Sequence, residues 1–255
     1  MNLESLPKFY APKSPNLGGT APATRSDALT ITDVMTAQGF VQSKTPLGFA
    51  LFLAKAGIQV PEPAIELLAA IASELAPACR AVNVLPDHQR VAVCDVLATM
   101  AYQDYSRSAA SVRPCDCCAG DGFITAEVFT MRSVLVGGTE LERKERREQV
   151  RIVCRECGGK RVISNACRCG GRGVVQDLEA TEAQGVPVSK TCSKCSGRGY
   201  ARLKFSAVIA GLHECWPQLK KTTAYDEIGP FFEMLVTRCF EAETLAERAL
   251  IEVTR

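Results

Sequence analysis

The sequence predicts a mainly α-helical protein interrupted by one cysteine-rich β-hairpin module. Apolar residues recur at helical spacing through residues 31–113 and again after residue 200. Between them, residues 115–199 hold four cysteine pairs flanked by glycines, with β-branched runs alongside. The resulting division is a flexible N-terminal arm (1–30), a helical domain (31–113), the cysteine-rich insertion (114–200) and C-terminal helices (201–255).

Composition narrows the class. The chain has 255 residues, 47% hydrophobic and 23% charged, which suits one or two domains with ordinary cores. The formal net charge is +2, so any nucleic-acid role must rest on local charge. No apolar run reaches 18 residues, which argues against a membrane span. No basic n-region precedes an apolar h-region, so the expected compartment is the reducing cytoplasm. There, thirteen cysteines serve as metal ligands and buried thiols rather than disulfides.

The arm carries Pro7, Pro12, Pro15 and Pro22 with Lys8, Lys13 and Arg25, and little periodicity. Thr32-Asp33 reads as a helix cap before Val34 and Met35, and 47–55 as an apolar helix ended by Gly57. Pro61-Glu-Pro63 opens the next helix, whose apolar face is Ile65, Leu68, Ala72, Leu75 and Cys79. Asp87 begins a longer helix to about Ser108, with Val93, Leu97, Met100 and Asp104 on one stripe and Val91, Cys94, Ala98 and Ala101 beside it. Cys79 and Cys94 lack partners at ligand spacing and read as buried small hydrophobes. His88 suits a solvated helix start.

Within the cysteine stretch, 123–136 is β-rich, Gly137-Gly138 follows, then a charge-dense run to Glu148 and a strand over 150–153. An acidic loop is expected between Gln176 and Pro187. The picture is of short strands, each carrying a knuckle. From Arg143 to Arg172 there are ten Lys/Arg against three Glu, a local balance of +7 that suits a solvated surface or contact with phosphates or an acidic protein face. After Gly199, 206–215 is a short helix, 216–221 a turn, and Thr222 begins a longer segment in which Pro230 marks a kink or a start. Phe231, Met234, Leu235 and Phe240 are core candidates. Helix, short turn and second helix is the outline of a helix-turn-helix, with Lys220, Lys221, Thr222, Thr223 and Tyr225 at the tip of the second helix.

The cysteine pairs carry the clearest chemistry. They are Cys115/Cys118, Cys154/Cys157, Cys167/Cys169 and Cys192/Cys195. The first and fourth fit Cys-x-x-Cys-x-Gly-x-Gly; in the second, Arg161 replaces the last glycine, and the third is Cys-x-Cys. Two thiolates at this spacing reach one metal from a tight turn, and glycines supply the positive φ angles of that turn. With two histidines in the chain, zinc must be held by thiolates, and eight cysteines make two four-thiolate sites. Such sites leave no open position for water and are structural. Cys117 neighbours a ligand, but the glycines register on Cys115 and Cys118. No Ser/His/Asp grouping or phosphate-binding glycine loop is present, so neither an enzyme nor a small-molecule substrate is expected.

The four-pair pattern resembles the cysteine-rich domain of DnaJ co-chaperones. That resemblance implies a nested hairpin: Cys115 and Cys118 would join Cys192 and Cys195 in an outer zinc site, and Cys154 and Cys157 would join Cys167 and Cys169 in an inner one. The J-domain His-Pro-Asp is missing. Leu3-Glu-Ser5, Lys8-Phe9, Pro12-Lys-Ser-Pro15, Thr32-Asp-Val-Met35, Val96-Leu-Ala-Thr99, Ala101-Tyr102, Asp104-Tyr105, Arg107-Ser-Ala-Ala110, the fourth pair with Gly197, Gly199-Tyr200 and Arg202, and Val253-Thr-Arg255 carry a second resemblance. Across nearly the full chain the sequence is similar to the lambda-type phage antitermination protein Q family. In that family the outer pairs hold one zinc, so an insertion bearing pairs two and three would set this chain apart.

The second resemblance implies binding to a double-stranded DNA element at a late promoter and to host RNA polymerase holoenzyme in the bacterial cytoplasm, making the enzyme terminator-resistant. It places a helix-turn-helix on 206–240, with Lys220, Lys221, Thr222, Thr223, Tyr225, Arg202 and Lys204 as DNA-contact candidates. The alternatives are a DNA-binding repressor or activator and a co-chaperone-like peptide binder.

Overall fold

The computed structural model describes residues 1–10, 31–136 and 139–254, with side chains described except at 132–136 and 139–144. Lys13 and Arg25 of the expected arm lie outside the described residues. The described chain divides into two compact units, Met1–Ser106 with Leu203–Arg255, and Arg107–Arg202.

The first unit is helical. After a short turn (Leu3–Ser5) come α1 (Pro7–Tyr10), α2 (Ile31–Lys44), α3 (Pro46–Lys55), α4 (Glu62–Leu75), α5 (Arg80–Asn83) and α6 (Asp87–Tyr105). The second unit then supplies β1 (Val112–Pro114), β2 (Phe123–Val136), β3 (Thr139–Val153), β4 (Val162–Ser164), β5 (Val174–Gln176), α7 (Leu178–Gln184) and β6 (Ser189–Thr191). The chain returns to the first unit as α8 (Phe205–Cys215), α9 (Lys221–Thr223) and α10 (Gly229–Val253).

The first ten residues depart from the expected extended arm. Leu3 and Leu6 are buried among Val34, Val41, Phe49 and Leu250, because this short segment has two leucines three apart that one helical turn aims into the same apolar patch. Thr32 and Asp33 lie inside α2, which begins at Ile31. The larger core joins Leu68 and Ala72 of α4, Val93, Cys94, Leu97, Ala98 and Ala101 of α6, Leu212 of α8, and Phe231, Phe232, Leu235 and Cys239 of α10. Gly48 lets α3 cross α10 closely, since a Cβ there would sit 1.9 Å from the Ala242 carbonyl oxygen. Cys79 and Cys94 are buried as expected, although Cys79 falls beyond the end of α4, which Pro77 prevents from continuing. Val91, Met234 and Phe240 are exposed rather than core. Each sits at the edge of its helix's apolar stripe, where spacing alone does not decide the side. Asp104, buried at 3% exposure, accepts the Leu203 N–H at 2.6 Å, joining the places where this unit's chain leaves and returns.

In the second unit, three two-stranded antiparallel sheets form: β1 with β4, β2 with β3, and β5 with β6. The charge-dense run is not a loop. It is the first part of β3, paired with β2 from Val136↔Thr139 to Phe123↔Val153. Charged residues rank low for strands, but tight pairing to a β-branched partner overrides that preference. The acidic segment after Gln176 is also ordered: Asp177 caps α7 by accepting the Ala180 N–H, and Gly185 at φ 67° ends it.

Candidate metal centres and nucleic-acid interface

The cysteines gather into two groups of four, and the grouping differs from the nested one. Cys115, Cys118, Cys154 and Cys157 form the first, and Cys167, Cys169, Cys192 and Cys195 the second. The physical reason is local hairpin closure. The β2–β3 ribbon returns Cys154 beside Gly122, where the Cys154 N–H donates to the Gly122 carbonyl at 2.9 Å. The β5–β6 hairpin returns Cys192 beside Gly173, with the equivalent bond at 2.8 Å. Gly137-Gly138, nearly midway between Gly122 and Cys154, is the sequence signal for the first closure.

Both groups repeat one design. The reciprocal bonds run from Cys115 N–H to the Arg161 carbonyl at 2.9 Å and from Cys167 N–H to the Gly199 carbonyl at 2.8 Å. Arg161 thus occupies a glycine position and adopts its backbone, φ 69° against 81° at Gly122, 76° at Gly173 and 80° at Gly199. The first site tolerates a side chain because its loops approach less closely. A Cβ on Gly122 would lie 3.0 Å from the Gly159 oxygen, whereas one on Gly173 would lie 2.2 Å from the Gly197 oxygen.

The donor geometry fits a tetrahedral metal. In each group all four Sγ atoms lie within 4.8 Å of one another. Cys115–Cys154 stand at 3.8 Å and Cys118–Cys157 at 3.7 Å, and Cys167–Cys192 and Cys169–Cys195 at 3.9 Å. Sulfurs about 2.3 Å from a central zinc stand about 3.8 Å apart in a tetrahedron. Backbone N–H groups of Gly122, Gly173 and Gly199 donate to the Sγ atoms of Cys118, Cys169 and Cys195 at 3.2, 3.2 and 3.3 Å, favouring thiolates. Burial raises the Cys118 thiol, but the Gly122 N–H and the neighbouring Cys115 and Cys157 thiols outweigh it and bring it down to about 7. The backbone N–H groups of Cys195 and Lys194 bring Cys192 down to about 7 as well. Cys117 is exposed and stands outside the group, and the Cys-x-Cys pair contributes both its sulfurs.

The residues expected at a DNA interface fall as follows. Lys220, Lys221, Thr222 and Tyr225 are exposed and Thr223 is half-buried at the start of the segment that continues through a π turn (Ala224–Ile228) into α10. Pro230 lies in the first turn of α10, where its missing N–H accounts for the wider turn just before it. Tyr225 packs edge-on against Phe205 at 5.3 Å, which sets Lys204, the residue before α8, beside this tip. Arg202 belongs to the other unit. Two acids also lie at the tip. The Glu227 carboxylate accepts the Ala81 N–H at 2.8 Å, and Asp226 lines a cavity of about 520 Å³ with Arg80 and Phe231. Sequence reasoning missed this inward use of Glu227, for which spacing carries no signal.

Among the described residues, a helical unit and a module with two four-cysteine groups define the class: a mainly helical protein with two groups of side chains that could each hold a metal ion. No described helix is long and apolar enough to cross a membrane. A family model described as antitermination protein Q matches residues 23–109 and 161–247. Each of the following relatives is aligned in full with the whole of this chain. The chain is 43% identical over 256 residues to prophage antitermination protein Q homolog QuuQ of Escherichia coli K12. It is 32% identical over 257 residues to antitermination protein Q of Escherichia phage lambda, and 31% to that of Salmonella phage P22. The chain belongs to the antitermination protein Q family.

The match has a gap with structural meaning. Residues 110–160, between the matched segments, hold the whole first cysteine group and the β2–β3 ribbon. The second group lies complete within 161–247. The stretch outside the family pattern therefore carries pairs one and two, not pairs two and three.

Proposed function

We propose that this chain is a phage late-gene antiterminator that binds a double-stranded promoter element, engages host RNA polymerase in the bacterial cytoplasm and makes it terminator-resistant. Full-length similarity to antitermination protein Q relatives, 43% in one case, carries this reading. Two zinc ions, one per cysteine group, hold the module and take no chemical part, because four thiolates fill the coordination shell.

For DNA, the proposed reader is a helix-turn-helix of α8, the turn 216–220 and the α9–α10 segment. Exposed Lys220, Lys221, Thr222 and Tyr225 stand at the N-terminus of the second helix, the end whose backbone N–H groups and partial positive charge favour phosphate. Glu227, turned to the Ala81 N–H, supports this orientation by keeping a carboxylate engaged away from phosphate. Lys204 adds charge beside Tyr225, and Arg202 is a further candidate from the other unit.

In vitro transcription through a terminator on a late-promoter template tests the reading. Added protein should raise the read-through fraction, and an unchanged fraction would rule antitermination out. Lys221→Ala should weaken promoter binding and reduce the slope of log affinity against log salt by about one. Binding without read-through would instead support a simple repressor or activator.

A further inference from the structure

The described side chains of the β2–β3 ribbon are largely exposed. Among the described residues β3 pairs with β2 alone, so its outer edge carries backbone groups without a ladder partner. On one face Phe129 is 57% and Met131 70% exposed, and the Arg147 guanidinium lies 5.1 Å over the Phe129 ring. A two-stranded ribbon alone is marginally stable in water. Proteins usually guard such an edge with like charges, lysines above all, which repel another strand. The sequence of β3 does the reverse. Lys144-Glu-Arg-Arg-Glu148 is charge-complementary to itself when two copies are laid antiparallel about Arg146.

We propose that β3 pairs antiparallel with β3 of a second copy of this chain, giving a four-stranded sheet in the order β2-β3-β3-β2. With the two-fold axis at Arg146, Glu145 stands opposite the second copy's Arg147, and Arg147 opposite the second copy's Glu145. Directly opposed residues share a face, and the observed register sets Phe129 across from Arg147 and Met131 across from Glu145. Each row on that face then reads Phe129, Arg147, Glu145, Met131, with apolar ends and an ion pair at the centre. On the other face the two Arg146 residues meet, and each has its own chain's Glu148 within 3.7 Å to offset the repulsion.

Charge disfavours nucleic acid as the occupant. Residues 110–160 hold nine Lys/Arg against eight Asp/Glu, a balance of +1. Four thiolates around a divalent metal subtract two more, leaving no surplus to attract phosphates.

Sedimentation velocity of the full-length protein over a concentration series tests the proposal. The natural chain should form a dimer. Arg147→Glu sets glutamate against glutamate twice per dimer and should weaken association about thirty-fold. Glu145→Arg alone makes the reciprocal like-charge contacts and should weaken it equally. The double variant Glu145→Arg/Arg147→Glu restores both opposite-charge contacts and should return within about threefold of the natural dimer. Helical circular dichroism and metal content per chain identify a variant that has lost its fold, and the rescue cannot arise from one. A natural chain that stays monomeric at tens of micromolar, including one whose ribbon is instead captured by polymerase, overturns the proposal. So does single-variant association at natural strength, or a double variant no tighter than the singles.

Discussion

Replacing Gly173 with alanine separates backbone strain from steric conflict at the second metal site. Gly173 and Gly170 both hold positive φ, 76° and 69°, so alanine at either meets the left-handed penalty of about 1–2 kcal/mol. Their surroundings differ. A Cβ on Gly170 finds nothing nearer than the Arg172 side chain at 3.9 Å, whereas one on Gly173 would lie 2.2 Å from the Gly197 carbonyl oxygen. That oxygen is backbone of the facing knuckle, so the two loops must part. Parting them stretches the two bonds that cross between the loops, Cys192 N–H to the Gly173 carbonyl and Cys167 N–H to the Gly199 carbonyl. Losing two such bonds costs about a further 2–4 kcal/mol. Because metal affinity at such sites is coupled to folding, Gly170→Ala should weaken zinc at this site about 5- to 30-fold and Gly173→Ala more than 100-fold. Competition with a chromophoric chelator measures both, while the first site serves as internal reference. Equal weakening by the two variants would refute the reasoning that loop apposition, rather than φ alone, demands glycine at 173.

Chelation should unfold the Arg107–Arg202 unit and leave most of the helical circular dichroism, since the helical core around Leu68, Leu97, Leu212 and Leu235 contains no metal ligand. Acid should act in the same direction. Protons compete with the metal for all four thiolates of each group, so metal retention should fail on the acid side and not on the alkaline side. Cys157→Ser should lower metal content from two ions to one per chain, with the second site intact, whereas a shared site would lose both. Leu6→Ala removes a fully buried side chain and should destabilise the helical unit by about 3 kcal/mol in urea denaturation, a result an unpacked arm would not give.

Helix positions were legible because long apolar stripes leave a 3.6-residue signature: Leu68 and Ala72 on α4, and Leu97 and Ala101 on α6, are buried as their spacing predicts. The eight candidate ligands were legible too, since pair spacing and glycine flanks are local. Which pair meets which was not legible. It depends on strand pairing across fourteen residue pairs, and the charged half of β3 conceals its strand character. Arg161 looked like a broken motif, yet its backbone takes the glycine conformation because the first site is the looser one. The burial of Leu3 and Leu6 escaped notice because two leucines among prolines give too short a pattern to read.

Ser111 and Asn165 bear on the history of the molecule. The Asn165 N–H donates to the Ser111 carbonyl at 3.0 Å and its side chain donates to the Ser111 hydroxyl at 3.0 Å, while the Asn165 carbonyl accepts the Ala201 N–H at 2.9 Å. The fifty-three residues 112–164 therefore begin and end at neighbouring points, with one complete four-cysteine group between them. A segment whose ends already touch can be gained or lost without moving what lies on either side. The first cysteine group thus has the architecture of a cassette, inheritable separately from the framework that carries it.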